Sequence, residues 1–389
     1  MLTSDPNLLL DELLDASIAE FDVPRDVYER AVARYQALGN WLADHWGDDP
    51  EDGLVYPQGS IRLGTMVAPI TEGAEYDVDL VCRRDIAKES TTQQELKADV
   101  GGGVAAFVAS GPEGDPRQSE GKRCWTLGYP GEPFHMDILP ALPDVEAAPN
   151  GILLTDRELV RWQRSNPVDF ADWFYKQMAR ELGFAEKREV LAKQMDVEEV
   201  PAWYLKTTLQ RTVQALKRHR DIYFADSPEN RPASIIITTL AASAYPGTGS
   251  LYKVLLAVTE KMPTLVENRD GVWWVANPVQ PLENFADRWR SKPGSDERFF
   301  SWMAQAQADF AAIGEERGLD RVVINLAKGF GEGPARRAGA AFGIELRDAR
   351  DAGRLGMAAG TGTLGATLGT TTTRPVPQHT FHGDAPERP

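Results

Sequence analysis

The sequence has little of what zinc sites and disulfide frameworks are built from. Only two cysteines, Cys82 and Cys124, occur in 389 residues, and neither a CxxC pair nor a Cys/His metal spacing is present. The five histidines form no HExxH-type cluster. We therefore expect no zinc, and we expect Cys82, inside an apolar run, to be a small buried thiol.

Long apolar runs and an excess of positive charge are also missing. No stretch approaches the roughly 18 apolar residues of a membrane span, and the first residues are acidic where a secretory signal would be basic. This predicts a cytoplasmic protein that does not contact a membrane. The formal charge of −16 argues against a general binder of duplex DNA or RNA. It fits an enzyme that takes small anionic substrates through bound cations.

Helix and strand patterns are unevenly distributed along the chain. Amphipathic helices are predicted for residues 6–20 and 24–48, followed between 55 and about 142 by short strand-like runs separated by Gly, Pro and Asp turns. Helical patterns dominate from 156 onward and include ENFADRWRS, residues 283–291. The mixture predicts an α+β fold with a small sheet.

Composition divides the chain into three parts. Residues 1–155 are expected to hold the N-terminal helices and the sheet, and residues 156–345 a helical lobe. Residues 346–389 are rich in Gly and Thr and predict a flexible tail.

Two aspartates lie one residue apart in the apolar run YDVDLV, residues 76–81. Since side chains alternate faces along a strand, Asp77 and Asp79 point the same way, while Val78 and Leu80 pack on the other side. Two carboxylates on one face repel each other and lose hydration, which a bound cation offsets. The alternative is a solvated edge strand, which is the more common origin of an isolated DxD.

A third acid strengthens the metal interpretation. FHMDILPAL, residues 134–142, is a second apolar run whose only acid is Asp137, a residue type with poor strand propensity. If this strand lies beside the first, the three carboxylates form one platform. Such a platform can hold two Mg²⁺ ions, with Mn²⁺ as an alternative, which clamp the attacking hydroxyl and the leaving pyrophosphate of an in-line displacement.

A glycine–serine turn precedes the acids in QGSIRLGT, residues 58–65. Gly59 lets the backbone approach an anion closely, and Ser60 presents an amide and a hydroxyl. Alone, such a pair indicates any tight turn. The pair becomes informative through the order of the motifs and through the short sequence separation between Ser60 and Asp77.

In this order, QGSIRLGT, EYDVDLV and FHMDILPA resemble the nucleotidyltransferase fold of the DNA polymerase β superfamily. They resemble most the bacterial cGAS/DncV-like nucleotidyltransferases, the cyclic oligonucleotide synthases of anti-phage (CBASS) defence. RSNPVDFADWF, TTLQRTVQALKRHRDIYF, ASIIITTLAA and NPVQPLENFADRW are similar to the helical half of that family, so the resemblance covers roughly residues 30–330. It implies a two-lobed protein with a polymerase β-like palm and a helical C-terminal lobe.

The resemblance implies a chemistry and a set of partners. Two nucleoside triphosphates, ATP and/or another NTP, bind between the lobes, and Mg²⁺ activates a ribose hydroxyl of one against the α-phosphate of the other. The products are pyrophosphate and a cyclic di- or trinucleotide second messenger. An effector then binds this messenger rather than the chain, and a CBASS accessory or activating protein is a further implied partner.

Matched position by position, the resemblance implies roles for six residues. Asp77, Asp79 and Asp137 would bind the metal and act in catalysis, and Gln58, Gly59 and Ser60 would bind the nucleotide. Lys217 is the best candidate for the helical-lobe lysine that contacts the triphosphate in this family, and Ser234, at the start of a predicted helix, is a further candidate for phosphate binding. Without that role, Lys217 belongs to a basic helix end that complements the helix dipole, and Ser234 is a plain helix N-cap. Lys206 and Arg220 are the substitutes for Lys217.

Alternatives stay open at this level. The chain could transfer one nucleotide to RNA or protein, although the negative charge disfavours an RNA channel. It could be a toxin–antitoxin nucleotidyltransferase, a class that is usually smaller, or a catalytically silent nucleotide sensor, although all three acids are present. In the tail, Gly383 lies six residues from the end, which favours a disordered linker over C-terminal conjugation.

Overall fold

A computed structural model describes residues 8–49, 54–71, 73–155, 162–181, 206–315 and 318–352, with three short strands beyond them. Its first two helices are α1, Leu8–Ala19, and α2, Arg25–Trp46, close to the predicted bounds. Helix α2 ends at Gly47, whose φ of 72° is the left-handed conformation that terminates helices.

A seven-stranded mixed sheet follows. Its strands are β1 Val55–Pro57, β2 Tyr76–Arg83, β3 Arg117–Glu120, β4 Trp125–Gly128, β5 Phe134–Pro143, β6 Ile152–Leu154 and β7 Gln163–Ser165. The spatial order is β1-β2-β5-β4-β3, and β6 pairs with the far end of β5 and with β7. Strands β2 and β5 are parallel, and the remaining pairs are antiparallel.

One face of the sheet is covered by helices, which leaves the other face to form a site. Helix α3, Gly59–Arg62, is a single turn after β1, whereas α4, Gln93–Ala109, is a full helix opened by a Thr92–Glu95 capping box. Helices α2 and α4 pack on the apolar positions of β2 and β5 in one buried cluster. Its members include Val78, Leu80, Met136 and Ile138, Leu38, Leu42, Leu96 and Val100.

The helical lobe contains seven described helices. These are α5 Pro167–Met178, α6 Thr208–Tyr223, α7 Ser234–Ala244, α8 Leu251–Lys261, α9 Ser295–Glu315, α10 Leu319–Phe330 and α11 Glu332–Asp351. Helix α1 packs in this lobe, because Leu14 and Ile18 are buried in its core together with Phe310 and Phe330. The predicted boundary, which placed the whole N-terminus with the sheet, therefore differs from the packing.

Two small hairpins separate α8 from α9. They are β8 Glu267–Arg269 with β9 Val272–Trp274, and β10 Ala276–Asn277 with β11 Gln280–Asn284. The helix predicted for residues 283–291 is wrong, since only a 3₁₀ turn, Asp287–Arg290, forms there. The reason is Asn284, whose Oδ1 accepts hydrogen bonds from the amides of Val275 and Ala286 and thereby ties this stretch to β9.

The end of the chain contains more regular structure than the predicted tail. Helix α11 continues six residues beyond 345, and a small antiparallel sheet follows. Its strands are β12 Gly356–Ala358, β13 Leu364–Gly365 and β14 Thr373–Pro375. Gly383 lies outside the described residues. Within the described residues, no helix combines the length and apolar character that crossing a membrane requires.

Candidate active site

The register of β2 and β5 places the three predicted acids on one face of the sheet. Asp79 is paired with Asp137, and Asp77 is paired with His135. Directly paired residues of neighbouring strands point to the same side, so the predicted adjacency of the two strands is confirmed. The neighbouring positions Val78, Leu80, Met136 and Ile138 are completely buried on the other side.

Each flanking acid has a polar partner on the same face. The side chain of Asp77, which is 73% exposed, has Oδ1 3.0 Å from Nε2 of His135, whose Nδ1 lies 3.0 Å from Oε2 of Glu75. The hydrogen bond to Asp77 is the main reason that the pKa of His135 is raised to about 9. On the other side, Thr126 of β4 donates a 2.5 Å hydrogen bond to Oδ1 of Asp137.

Asp79 lies at the centre of this acidic face. Burial and then the negative charges of Asp77 and Asp137 raise its pKa to about 6. Arg123 and Lys217 oppose this rise without cancelling it, so negative charge predominates around the carboxylate, which is the condition a divalent cation relieves.

The donor set suits magnesium, which prefers carboxylate oxygens and substrate phosphates. The close electrostatic coupling of Asp79 to both other acids supports that fit. The side chains do not yet converge, because Asp77 contacts His135 and Asp137 contacts Thr126. Accordingly, no group of three His, Cys, Asp or Glu side chains in the described part of the chain is arranged around one metal position.

The glycine–serine turn lies directly against the acids. The amide of Gln58 donates a 2.9 Å hydrogen bond to the carbonyl of Asp79, and Gly59 has a φ of 63°. A Cβ at position 59 would lie 2.9 Å from Oδ2 of Asp79. Glycine is therefore required here both by the backbone conformation and by the approach of the carboxylate.

Helix α6 and Lys206, two residues ahead of it, hold the segment that follows the turn. Five of their side chains donate hydrogen bonds of 2.8 to 3.0 Å to backbone carbonyls. The pairs are Lys206–Gly64, Gln210–Leu63, Gln214–Met66, Lys217–Thr65 and Arg218–Ala68. Sequence reasoning missed this ladder, although polar residues at 210, 214 and 217 share one helix face.

Two cavities meet at Gly59 and Asp79. The first, here the acid cavity, has a volume of about 660 Å³ and contains most of the predicted residues. Its lining includes Gly59, Ser60, Asp77, Asp79, Lys217, Arg220, Arg231 and Ser234. The second, here the hairpin cavity, has a volume of about 1100 Å³. Its lining includes Gln58, Gly59, Asp79, Arg123, Trp274, Asn277, Gln280 and Glu283.

Lys217 and Ser234 both reach the acid cavity, but each is already bonded to the protein. Lys217 is 3% exposed, and its Nζ lies 3.0 Å from the carbonyl and 3.1 Å from Oγ1 of Thr65. Burial lowers its pKa to about 7. Ser234 is not the N-cap of α7, because Ala233 occupies that position, and its hydroxyl accepts a 2.8 Å hydrogen bond from Arg220. Of the two substitutes, Arg220 lines the acid cavity and Lys206 lines neither cavity.

Comparisons with known proteins agree with this geometry. Residues 54–140 match the family model for the nucleotidyltransferase domain of cyclic GMP-AMP synthase DncV-like proteins. The chain is 30% identical to a c-di-GMP synthase of Roseivirga ehrenbergii, over 99% of this chain and 100% of the relative. It is 25% identical to the cyclic dinucleotide synthase CdnG of Bradyrhizobium diazoefficiens, over 71% of this chain and 70% of that one.

Solved structures share the fold. The Bradyrhizobium diazoefficiens CD-NTase CdnG in complex with GTP aligns with a TM-score of 0.66 at 23% identity, covering 87% of this chain and 99% of the other. Escherichia coli DncV in its 3'-deoxy GTP bound form aligns with a TM-score of 0.56 at 13% identity, covering 86% and 96%.

Palm, acidic face and helical lobe together define a nucleotidyltransferase of the polymerase β type. Within this class, the full-length match to the Roseivirga synthase is specific enough to decide the family. The chain belongs to the bacterial cGAS/DncV-like nucleotidyltransferases.

Proposed function

We propose that the chain is a cyclic dinucleotide synthase that joins two molecules of GTP and releases two of pyrophosphate. The observation that carries this proposal is the close approach of Gly59 to Asp79, because a turn suited to phosphate then lies beside the central acid, which is paired with Asp137. The names of the two relatives, a c-di-GMP synthase and a cyclic dinucleotide synthase, support the product class, and the GTP-bound CdnG structure supports the substrate.

In this proposal, the three acids and the glycine–serine turn have different roles. Asp77, Asp79 and Asp137 would hold Mg²⁺, which when bound neutralises phosphate charge and lowers the pKa of the attacking hydroxyl. Asp137, which Thr126 holds through a hydrogen bond, would accept the proton of that hydroxyl. Gly59 and Ser60 would bind the phosphates through backbone amides.

Two cations of α6 complete the phosphate site. Lys217 would exchange its hydrogen bonds to Thr65 for a phosphate oxygen and take up a proton as it does so. Arg220 orients the hydroxyl of Ser234 at the wall of the same cavity. Each half-reaction forms one P–O bond to a ribose oxygen and breaks the bond to pyrophosphate, and the second closes the ring.

The proposal is tested with purified protein, Mg²⁺, and labelled GTP and ATP offered separately and together. A phosphatase-resistant product with the mass of a cyclic dinucleotide is expected, and Asp77→Asn and Asp79→Asn should abolish it. Asp85→Asn, an exposed acid just after the same strand, is the matched control and should leave the rate unchanged. Labelling of added RNA or protein instead of a cyclic product would contradict the proposal, as would GTP binding without turnover.

We place the product in anti-phage CBASS signalling, with an effector that binds it and a cytoplasmic location for the enzyme. The membership of the chain in the DncV-like family supports this placement. Expression of the chain with its genomic neighbours should protect bacteria from phage, and Asp79→Asn should abolish the protection. Equal protection by the inactive variant would contradict the placement.

A further inference from the structure

The hairpin cavity is lined by Gly59 and Asp79 and also by a wall that contains none of the predicted residues. Side chains of β10 and β11 form this wall. Its volume of about 1100 Å³ is ample for a nucleoside. A base attached to a nucleotide at the turn would therefore have this wall as a neighbour.

The wall carries one half-buried carboxylate, Glu283. Its Oε2 accepts a 2.7 Å hydrogen bond from Nδ2 of Asn277, which is 2% exposed. The Oδ1 atom of Asn277 accepts a hydrogen bond from the amide of Val279, so the amide group is fixed from both ends. Oε1 of Glu283 has no hydrogen-bond partner among the described residues, and burial raises the pKa of this carboxyl to about 7.

The other acids of the cavity either have partners already or are exposed to solvent. Asp79 belongs to the acidic face, and Glu146 is ion-paired with Arg164. Asp287, the first residue of the 3₁₀ turn that follows the hairpin, is exposed. Glu283 is therefore the acid of this cavity that has lost part of its hydration, and a polar ligand in the cavity would compensate for that loss.

Two further polar atoms of the same wall lack partners. Nε1 of Trp274 and Oε1 of Gln280 are buried without a hydrogen bond to any residue in the described part of the chain. Both side chains line the hairpin cavity. Buried donors and acceptors are normally paired, so this combination of an indole N–H, an amide oxygen and a carboxylate indicates a ligand rich in donors and acceptors.

The chemistry of the carboxylate distinguishes between purines. Guanine presents N1–H and the N2 amino group side by side, which are two donors for the two oxygens of one carboxylate. Adenine presents a donor beside an acceptor, its N6 amino group and N1, and that pattern matches an amide rather than a carboxylate.

We propose that Glu283 is the base-selecting residue of the enzyme and that it accepts hydrogen bonds from N1–H and the N2 amino group of a guanine bound in the hairpin cavity. The proposal rests on the proposed function for the presence of a nucleotide. The hairpin is preorganised for the role, because the Asn284 side chain bridges β9 and the residues after β11 through Val275, Ala286 and Trp273.

Glu283→Gln tests the assignment, because it keeps the size of the side chain and replaces two acceptors by one acceptor and one donor. The ratio of kcat/KM for GTP to that for ATP should fall by roughly 10- to 100-fold, the range measured for one bidentate base contact. Mass spectrometry of products made from an equimolar mixture should show more adenine. Glu283→Ala removes both acceptors and should lower GTP use without improving ATP use.

Glu260→Gln is the matched control, since it makes the same exchange at an exposed acid of α8 that lines neither cavity, and it should leave the ratio unchanged. An unchanged ratio in Glu283→Gln, or an equal fall of both rates, would overturn the assignment. Calorimetry of wild type and Glu283→Gln gives the ratio of GTP to ATP affinity. This ratio reports base selection independently of turnover. A wild type that binds GTP selectively through Glu283 but makes no cyclic product would therefore refute the proposed function and leave the base assignment standing.

Discussion

The acid cavity and the hairpin cavity share Gly59 and Asp79 and differ in most of the rest of their lining. The acid cavity adds Asp77 and the cations Lys217, Arg220 and Arg231, and burial and then the neighbouring acids raise the pKa of Asp79. Apart from the shared Asp79, the hairpin cavity has one half-buried carboxylate among its described lining residues, Glu283, which is held by the amide of Asn277. This difference underlies our proposal that the acid cavity binds metal and phosphate and that the hairpin cavity selects the base by its hydrogen-bond pattern.

The comparison predicts a division of labour between the two cavities. Changes in the acid cavity should alter rate equally for all nucleotides, and changes in the hairpin cavity should alter the choice of nucleotide. A variant that changes both the overall rate and the choice of nucleotide would contradict this division.

The largest effect is expected for Asp79→Asn. Removal of the central charge should lower the rate with GTP and with ATP by on the order of 10³-fold or more, because charge stabilisation at the reacting phosphate dominates such reactions. Rates of pyrophosphate release with each nucleotide provide the measurement. A changed ratio of GTP to ATP use in this variant would show that the two cavities do not act separately.

The same variant should be more stable than wild type when metal is removed by a chelator. Because the folded-state pKa of Asp79 is raised from its ordinary value to about 6, the folded protein binds more protons than the unfolded chain between about pH 4 and 6. Wild-type stability therefore falls as pH rises through that window. Thermal unfolding should show that Asp79→Asn raises stability at pH 7 and that this gain disappears near pH 4. A gain in stability that does not depend on pH would contradict a destabilising charge on Asp79.

Gly59→Ala should be nearly inactive, with a rate about 10²-fold below wild type. The new Cβ would lie 2.9 Å from Oδ2 of Asp79 and move it, in addition to the strain of a φ of 63°. Gly73→Ala is the matched control, because its φ of 77° is similar and a Cβ there meets nothing within 4 Å. Both variants should lose roughly 1 kcal/mol of stability, and an equal loss of activity in both would assign the effect to strain alone.

Lys217→Met should abolish a proton uptake that accompanies GTP binding. At pH 8 the Lys217 side chain, with a pKa of about 7, is mostly neutral, and a bound triphosphate favours its charged form. Arg220 opposes that charge, while Asp221 and Asp79 favour it. Binding enthalpies measured in buffers of different ionisation enthalpy report the proton count.

Lys206→Met is the control for this measurement. Its pKa is also lowered, to about 8, but Lys206 binds the carbonyl of Gly64 and lines neither cavity. Its substitution should leave the proton uptake in place. An uptake that survives in Lys217→Met and disappears in Lys206→Met would reverse the assignment of the triphosphate contact.

The smallest effect is expected for Thr126→Val. Loss of the hydrogen bond to Oδ1 of Asp137 leaves the carboxylate in place but frees its orientation, which typically costs about 10-fold in metal affinity. Titration of activity with Mg²⁺ at fixed GTP should show a raised half-saturating concentration. An unchanged metal dependence would show that Thr126 serves packing only, and the ratio of GTP to ATP use should stay as in wild type.

The predicted parts of the site were those with a local cause. Alternation along YDVDLV and FHMDILPAL was enough to place the acids of each strand on one face, and the register of β2 and β5 brought those faces together. Ser234 was placed at the start of α7 but misread as a possible cap, because Arg220, fourteen residues earlier, holds its hydroxyl.

The unpredicted parts depend on contacts between distant residues. The hydrogen bonds from α6 to residues 63–68 span about 150 positions, and Glu283 was placed in a helix that does not form. Helical periodicity in ENFADRWRS indicated amphipathicity only, and the bonds of Asn284 to the neighbouring strand outweighed it.

By itself, the sequence determined the class of fold, the two strands with their three acids and the glycine required before them, because each follows from side-chain alternation or from backbone conformation over a few residues. Only the tertiary structure decided which cations reach the turn, that Lys217 is buried against Thr65, and that Glu283 faces a cavity with Trp274 and Gln280. The burial of a side chain and its hydrogen-bond partners depend on which distant residues pack against it, and a local sequence pattern contains no information about those residues.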